Sequence, residues 1–258
     1  MNDMDNTMTT DTGTESSVGR DPAERQSGGR PLFYRRPELL NAAAHGAWRI
    51  TPADMGFVAQ TNAVPIVIGE FAAAARSYPV VFAGPERTPV AVLGLEQRNR
   101  FVEDGAWQAG TYVPAYVRRY PFVFAQVDAP AGFALAIDAE APMLVKEGDE
   151  GKALFEDGKP AETTQQALRF CDAFTREHAA TQAFVKLLIQ EGILVERTAN
   201  ITLPQGRQST LTGFSVVAAD EFATLPESVV VEWHRKGWLA LVHSHLTSLA
   251  RFADLLVD

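Results

Sequence analysis

The sequence has a single cysteine, Cys171, in 258 residues. One thiol excludes an internal disulfide framework and a cysteine-based zinc cluster, and it fits a reducing compartment. Long apolar runs are missing as well. No stretch approaches the roughly 18 apolar residues that a membrane-spanning helix needs. The first residues lack the apolar core of a Sec-type signal peptide. These absences lead us to expect a cytoplasmic chain that is not an integral membrane protein. Basic residues are in deficit: 23 Lys and Arg stand against 32 Asp and Glu, for a net charge of -9. The densest basic spot is Arg118-Arg119, with Arg98 and Arg100 elsewhere. That is too little to hold a polyanion, so no nucleic-acid partner is expected.

Aromatic residues are absent from residues 1–30, which are rich in Asp, Thr, Ser and Gly. Such a segment cannot bury enough apolar surface to offset its ordering entropy. Residues 1–30 are therefore expected to form a disordered acidic tail, and residues 31–258 a single domain whose order begins near Leu32-Phe33-Tyr34. Catalytic signatures are also missing. There is no G-x-S-x-G, phosphate loop, H-E-x-x-H or G-x-G-x-x-G. No cofactor and no metal are expected, and no catalytic residue is assigned.

What the sequence does contain is a repeat. Arg76-Ser77-Tyr78-Pro79-Val80-Val81-Phe82-Ala83 returns as Arg118-Arg119-Tyr120-Pro121-Phe122-Val123-Phe124-Ala125, with six of eight positions identical. Proline disfavours helix in the residue before it and lacks an N–H for a ladder. Each Tyr-Pro thus ends a helix and opens an extended run whose β-branched and aromatic residues suit a strand. At the same offset, Val92-Leu93-Gly94-Leu95-Glu96 stands opposite Ala134-Leu135-Ala136-Ile137-Asp138. Breaker-rich turns at 84–87 and 128–132 separate the strands. The expectation is a duplicated helix-strand-strand unit, packed as two halves of one central antiparallel or mixed sheet.

Around this unit, residues 37–41 read as a turn of helix, and 48–51 and 57–60 as short strands. Residues 97–110, anchored by Phe101 and Trp107, and residues 142–160 read as loops. The clearest helix covers 164–191. Thr163 and Gln166 fit a capping box, and Ala167, Phe170, Cys171, Phe174, Thr181, Phe184, Val185 and Leu188 fall on one face. Gly192 stands where a helix ends, with Ile193 folding back on Leu188. A hairpin of 201–203 with 209–217 turns at 204–207. Helices follow, with Val229, Val230 and Trp233 facing the core and a last stripe from Leu239 through Val242, Leu246, Leu249 and Ala253 to Leu256. The fold class is α+β with a mainly helical C-terminal third.

Candidate chemistry is sparse. His243 and His245, two residues apart on a helix, point roughly 200° apart and cannot share one ion. Cys171 on an apolar helix face reads as buried filler. Asp138 and Glu140 alternate on a strand and could do acid–base work if their environments separated their pKa values; a solvated strand end is the commoner meaning. Arg118 and Arg119 beside Tyr120 could hold a carboxylate or phosphate, or could pair with Glu70 or Asp138. The binding candidates are Arg118, Arg119, Tyr120 and Asp138.

Several pieces together carry a resemblance: Glu70-Phe71, Tyr78-Pro79-Val80-Val81-Phe82, Leu93-Gly94-Leu95, Tyr112-Val113-Pro114-Ala115, Arg118-Arg119-Tyr120-Pro121-Phe122, Leu154-Phe155-Glu156-Asp157-Gly158, Leu211-Thr212-Gly213-Phe214 and His245-Leu246-Thr247-Ser248-Leu249. In these the chain resembles the SapC family of bacterial proteins. Asn99-Arg100-Phe101 departs from the family's Asn-Leu-Phe. The resemblance implies surface association and a non-enzymatic accessory role in a surface-layer or surface-export system, with a protein or peptide of that system as partner. The alternative is an enzyme or small-ligand binder with its pocket near the Tyr-Pro repeats.

Overall fold

A computed structural model describes residues 31–52, 54–127, 132–202 and 208–256. The expected tail at 1–30 and most of the turns at 128–132 and 204–207 lie outside the described residues. In chain order come β1 (Pro37–Leu39), α1 (Ala42–His45), β2 (Arg49–Ile50), a 3-10 turn (Met55–Val58) and β3 (Ala63–Pro65). A 3-10 turn (Ile68–Glu70) runs into α2 (Phe71–Ala74), followed by β4 (Val80–Ala83), β5 (Thr88–Val92), β6 (Val102–Glu103) and β7 (Ala106–Trp107). Then come α3 (Ala115–Arg119), β8 (Phe122–Gln126), β9 (Phe133–Asp138), β10 (Leu144–Val145), β11 (Lys152–Ala153), β12 (Phe155–Glu156) and β13 (Lys159–Pro160). The last part holds α4 (Glu162–Gln190), β14 (Leu194–Thr202), β15 (Gln208–Val217), α5 (Ala219–Ala223), α6 (Glu227–Arg235), α7 (Trp238–Ser248) and a 3-10 segment (Leu249–Leu255). This is the α+β class with the expected helical C-terminal region.

Both Tyr-Pro bends join a short helix to a strand. Tyr78-Pro79 connects α2 to β4, and Tyr120-Pro121, a cis peptide, connects α3 to β8. Each strand turns back antiparallel, β4 on β5 and β8 on β9. The two hairpins are not halves of one sheet, however. The first lies in a five-stranded sheet of order β14-β15-β4-β5-β3, the second in a three-stranded sheet of order β1-β9-β8. Each hairpin recruits its own neighbours, β15 and β3 in one case and β1 in the other. The return strands are also out of step with a constant offset. Val80 pairs with Ala91, whereas Phe122 pairs with Ile137, because the second hairpin has the longer connection. The counterpart of Asp138 is thus Val92 rather than Glu96. The N–H groups of Val92 and Asp138 donate to the carbonyls of Pro79 and Pro121, both at 2.9 Å.

The long helix α4 serves both units. Ala167 and Cys171 near its start pack with Phe122, Leu135, Ile137 and Leu154 of the second unit. Phe184, Val185 and Leu188 near its end pack with Phe71, Tyr78, Val80 and Phe82 of the first. Its end has the expected form. Gly192 has φ 69, its N–H donates to Ile189 O at 3.1 Å, and Ile193 N–H donates to Leu188 O at 3.3 Å, which is the Schellman pair. Its start differs. Ala161 is the N-cap, so Thr163 lies inside the helix and no Thr163–Gln166 box forms. The preceding chain sets this boundary: Thr164 Oγ1 donates to Leu154 O at 2.7 Å, and Gln166 reaches Glu162 instead.

Other local readings also change. Residues 57–60 are not a strand; a 3-10 turn begins at Met55, with Gly56 N–H held by Asp54 Oδ1 at 2.6 Å. Residues 37–41 are not helical; β1 forms there and Asn41 caps α1. Both stretches read as loops contain two-residue hairpins. Asp104-Gly105 (φ 48 and 73) joins β6 to β7, and Asp157-Gly158 (φ 48 and 71) joins β12 to β13. Positive φ at both central residues is what such a turn requires. The β14–β15 hairpin begins at Leu194, well before Ile201. On α6, Trp233 is buried but Val230 is exposed. Beyond Ser248 the chain tightens to 3-10 geometry, with fewer residues per turn, so Leu255 is buried in place of Leu256.

His245 completes a β-ladder. β15 pairs with β4 at Phe214↔Ala83 and Ser215↔Phe82, and the same register would bring Val217 opposite Val80. The imidazole stands between them instead. Val217 N–H donates to Nε2 at 3.0 Å, and Nδ1 donates to Val80 O at 2.7 Å. One turn on, Ser248 Oγ accepts from Val80 N–H at 2.9 Å and donates to His245 O at 2.6 Å. His243, by contrast, is exposed and meets the Phe222 ring. The second unit has a matching device: Tyr34 OH donates to Phe122 O at 2.6 Å.

Burial drives the pKa of His245 down from 6.5 to about 4. A depressed folded pKa means that the contribution is complete above pH 6.5 and is lost as pH falls through about 4; its size is about 3 kcal/mol. Denaturant titrations at pH 7 and pH 4.5 should show a smaller stability loss for His245→Gln than for the unaltered chain; equal losses would contradict this assignment. Ser215 is fully buried, and its hydroxyl has no hydrogen-bond partner among the described residues. Ser215→Ala should be neutral or stabilising by up to about 1 kcal/mol, read from the same titrations.

Candidate functional site

The acid Glu70 and the aromatic Tyr112 stand at equivalent positions of the two units, and they meet. Tyr112 OH donates to Glu70 Oε1 at 2.9 Å. Glu70, though almost fully buried, also accepts from Ala115 N–H at 2.6 Å and Val67 N–H at 3.0 Å. It therefore caps its own 3-10 turn and the N-terminus of α3 in the next unit, where free N–H groups favour an anion. Arg118 completes the cluster. Its Nε donates to Val113 O at 3.0 Å and its Nη2 to Tyr112 OH at 3.0 Å. The guanidinium lies 5.6 Å from the Tyr112 ring centre and 5.4 Å from that of Phe170, within cation–π range. Burial raises the pKa of Glu70, and the N–H groups of Ala115 and Val67, the Tyr112 hydroxyl and the Arg118 charge hold it back. Burial, then the Glu70 carboxylate, push Tyr112 up to about 12. Tyr112 is consequently a protonated donor at neutral pH.

A second carboxylate, Asp138, is fully buried at the end of β9. It accepts from Arg36 N–H at 2.7 Å, Arg35 N–H at 3.0 Å, Tyr120 OH at 3.0 Å and Glu140 N–H at 3.2 Å. Burial first, and the Asp138 charge second, raise the pKa of Tyr120. Arg119 is buried too, with its guanidinium 4.5 Å from the Phe174 ring centre, 4.8 Å from Tyr116 and 5.9 Å from Tyr34.

The four candidate residues thus divide. Tyr120 and Asp138 come together, Arg119 adjoins them through the Tyr34 ring, and Arg118 belongs with Glu70, Tyr112 and Phe170. Successive helix residues point about 100° apart, which sends Arg118 outward and Arg119 inward. The Asp138–Glu140 strand pair does not form. Glu140 lies beyond β9, is exposed, and contributes its backbone N–H to Asp138. Tyr112, Phe170 and residues 33–36 carry much of this geometry, although none of them is among the binding candidates read from the sequence. Only Tyr112 had a signal, its place 42 residues after Glu70. Among the described residues no group of three or more His, Cys, Asp or Glu could hold a metal ion, and no helix is long and apolar enough to cross a membrane.

The family model of SapC matches residues 40–255, so the chain belongs to the SapC family. No curated protein and no solved structure gives a significant match.

The two members of the Glu70–Arg118 cluster should differ in stability cost. Glu70→Ala strands two buried N–H groups and should cost about 2–4 kcal/mol. Arg118→Ala removes an exposed charge from aromatic faces and should cost about 1 kcal/mol or less. Chemical denaturation of both variants checks the order; equal costs would mean that Glu70 is not the structural member.

Proposed function

We propose that this SapC-family chain is a non-catalytic interaction protein of a bacterial surface-layer or surface-export system. In this reading Arg118, held on the Tyr112 and Phe170 rings, meets an acidic group of a partner protein or peptide. Arg119, Tyr120 and Asp138 hold the helix and bend that present it. The observation that carries the reading is where the polar groups spend their hydrogen bonds. Asp138 takes three backbone N–H groups and a tyrosine, Glu70 takes two N–H groups and a tyrosine, and both nitrogens of His245 bind backbone. A general acid or base must present a proton or lone pair to its substrate; these groups present theirs to the fold. The surface setting comes from the family.

One observation favours a second reading, a small-ligand binder. Glu70 is a buried acid with a raised pKa beside an exposed arginine, and perturbed groups cluster at sites. The test separates the two. The chain and its Arg118→Ala variant are immobilised and exposed to solubilised cell envelope. Arg119 stays intact because its ring contacts are interior. The expected result is one retained envelope protein whose recovery falls about tenfold or more with Arg118→Ala. No retained protein, together with a metabolite-induced thermal shift that Arg118→Ala abolishes, would replace this reading with the second.

A further inference from the structure

We infer that the acidic group met by Arg118 is bound together with a proton, which Glu70 takes up beneath it, so that the site holds its partner more tightly as the medium turns acidic. This rests on the Arg118 reading and adds its regulation. Three polar groups run in a chain from the interior to the surface. Glu70 is almost fully buried, Tyr112 is half-buried and Arg118 is exposed. The Tyr112 hydroxyl joins the other two, donating to Glu70 Oε1 at 2.9 Å and accepting from Arg118 Nη2 at 3.0 Å. Carboxylate and guanidinium therefore stand within about 6 Å of each other, a range in which an opposite charge changes a carboxyl's proton affinity about tenfold or more. Glu177 of α4 also faces this turn, but its carboxylate is exposed and bonded to Gly69 N–H at 3.1 Å, so solvent screens it from Glu70.

The hydrogen bonds give this proton one place to go. Oε2 accepts from Val67 N–H and Oε1 from Ala115 N–H, and neither backbone donor can turn away. The Tyr112 hydroxyl can rotate, and its oxygen can accept as well as donate. A proton taken from solvent onto Oε1 therefore lies on the Glu70–Tyr112 bond. Glu70 becomes the donor there, and the Tyr112 proton swings outward beside the guanidinium. Both backbone bonds are kept. The protonated site then offers a partner's carboxylate two donors, Arg118 N–H and Tyr112 O–H, above a neutral group. In the ionised site the Tyr112 proton is spent on Glu70, and the Glu70 charge opposes the arriving acid. Burial biases Glu70 towards the proton, and the N–H groups of Ala115 and Val67, the Tyr112 hydroxyl and the Arg118 charge hold it back. A bound acid cancels the last of these, so Glu70 binds its proton more tightly in the complex. Linkage is reciprocal: protonated Glu70 strengthens partner binding by the same factor, about tenfold for an exposed arginine.

The probe is a fluorescent oligo-aspartate peptide, whose side chains stay charged down to about pH 5.5. Titrated with the full chain, it should bind about tenfold more tightly at about pH 5.5 than at about pH 8. Histidines elsewhere titrate in the same range, so the gain is measured against two variants. Glu70→Gln should lose it, and Tyr112→Phe, which has no outward donor, should lose most of it. Binding that Arg118→Ala weakens, but that gains no more from acid in the unaltered chain than in Glu70→Gln, overturns the proton linkage and leaves the Arg118 reading standing. Binding that Arg118→Ala leaves unchanged overturns the Arg118 reading, and the linkage with it. A second measurement needs neither the peptide nor a change at Glu70. The carbon-13 resonance of the Glu70 carboxyl is followed against pH in the unaltered and Arg118→Ala chains. Its midpoint should lie about one pH unit higher in Arg118→Ala. Equal midpoints overturn the linkage.

Discussion

The carbonyl that follows each Tyr-Pro bend lies where its own hairpin cannot bond it, and the rest of the structure depends on the side chains that reach it. Val80 O is met by His245 from the C-terminal helix, and Phe122 O by Tyr34 from the segment before β1. An unmet buried carbonyl would cost about 1–3 kcal/mol, so each of these contacts fastens a distant part of the chain to a bend. The acids repeat the pattern. Asp138 joins residues 35 and 36 to the second bend, and Glu70 joins the first unit to the helix that opens the second. Polar groups that look like chemistry in the sequence act in the structure as ties between segments far apart in the chain.

That use of polar groups shapes the functional reading. Glu70, Asp138 and His245 spend their hydrogen bonds largely on backbone, and the reading we propose therefore looks to the surface. Family membership places the chain among SapC proteins, and the outward guanidinium on two rings is the contact we propose for a partner.

Much of the local structure was legible in the sequence. Proline chemistry marked both bends, the apolar face of α4 marked its burial, and Gly192 with Ile193 marked its end. The angular separation of His243 and His245 was enough to divide them between surface and interior. What could not be read was pairing across distance. Nothing local in Val80-Val81-Phe82 says that β15 will lie beside it, nor in Phe122-Val123-Phe124 that its hairpin will join β1, so the two copies were assigned to one sheet. The register of the second return strand was hidden in a longer connection. Asp138 was marked as a site residue, but its donors Arg35 and Arg36 lie about a hundred residues earlier. The two Asp-Gly hairpins are a different case: their signal was present and was obscured by the polar residues around it.

At the first bend a histidine side chain stands in for a strand partner. Native-state hydrogen exchange at Val80 and Val217 tests this most directly, since their N–H groups bond to Ser248 Oγ and His245 Nε2 rather than to a neighbouring strand. Both amides should exchange as slowly as the ladder amides beside them, at the rate set by global unfolding. Exchange at the rate of exposed loop amides, with the neighbouring ladder still protected, would show that the insertion does not hold and that the bend is left uncapped.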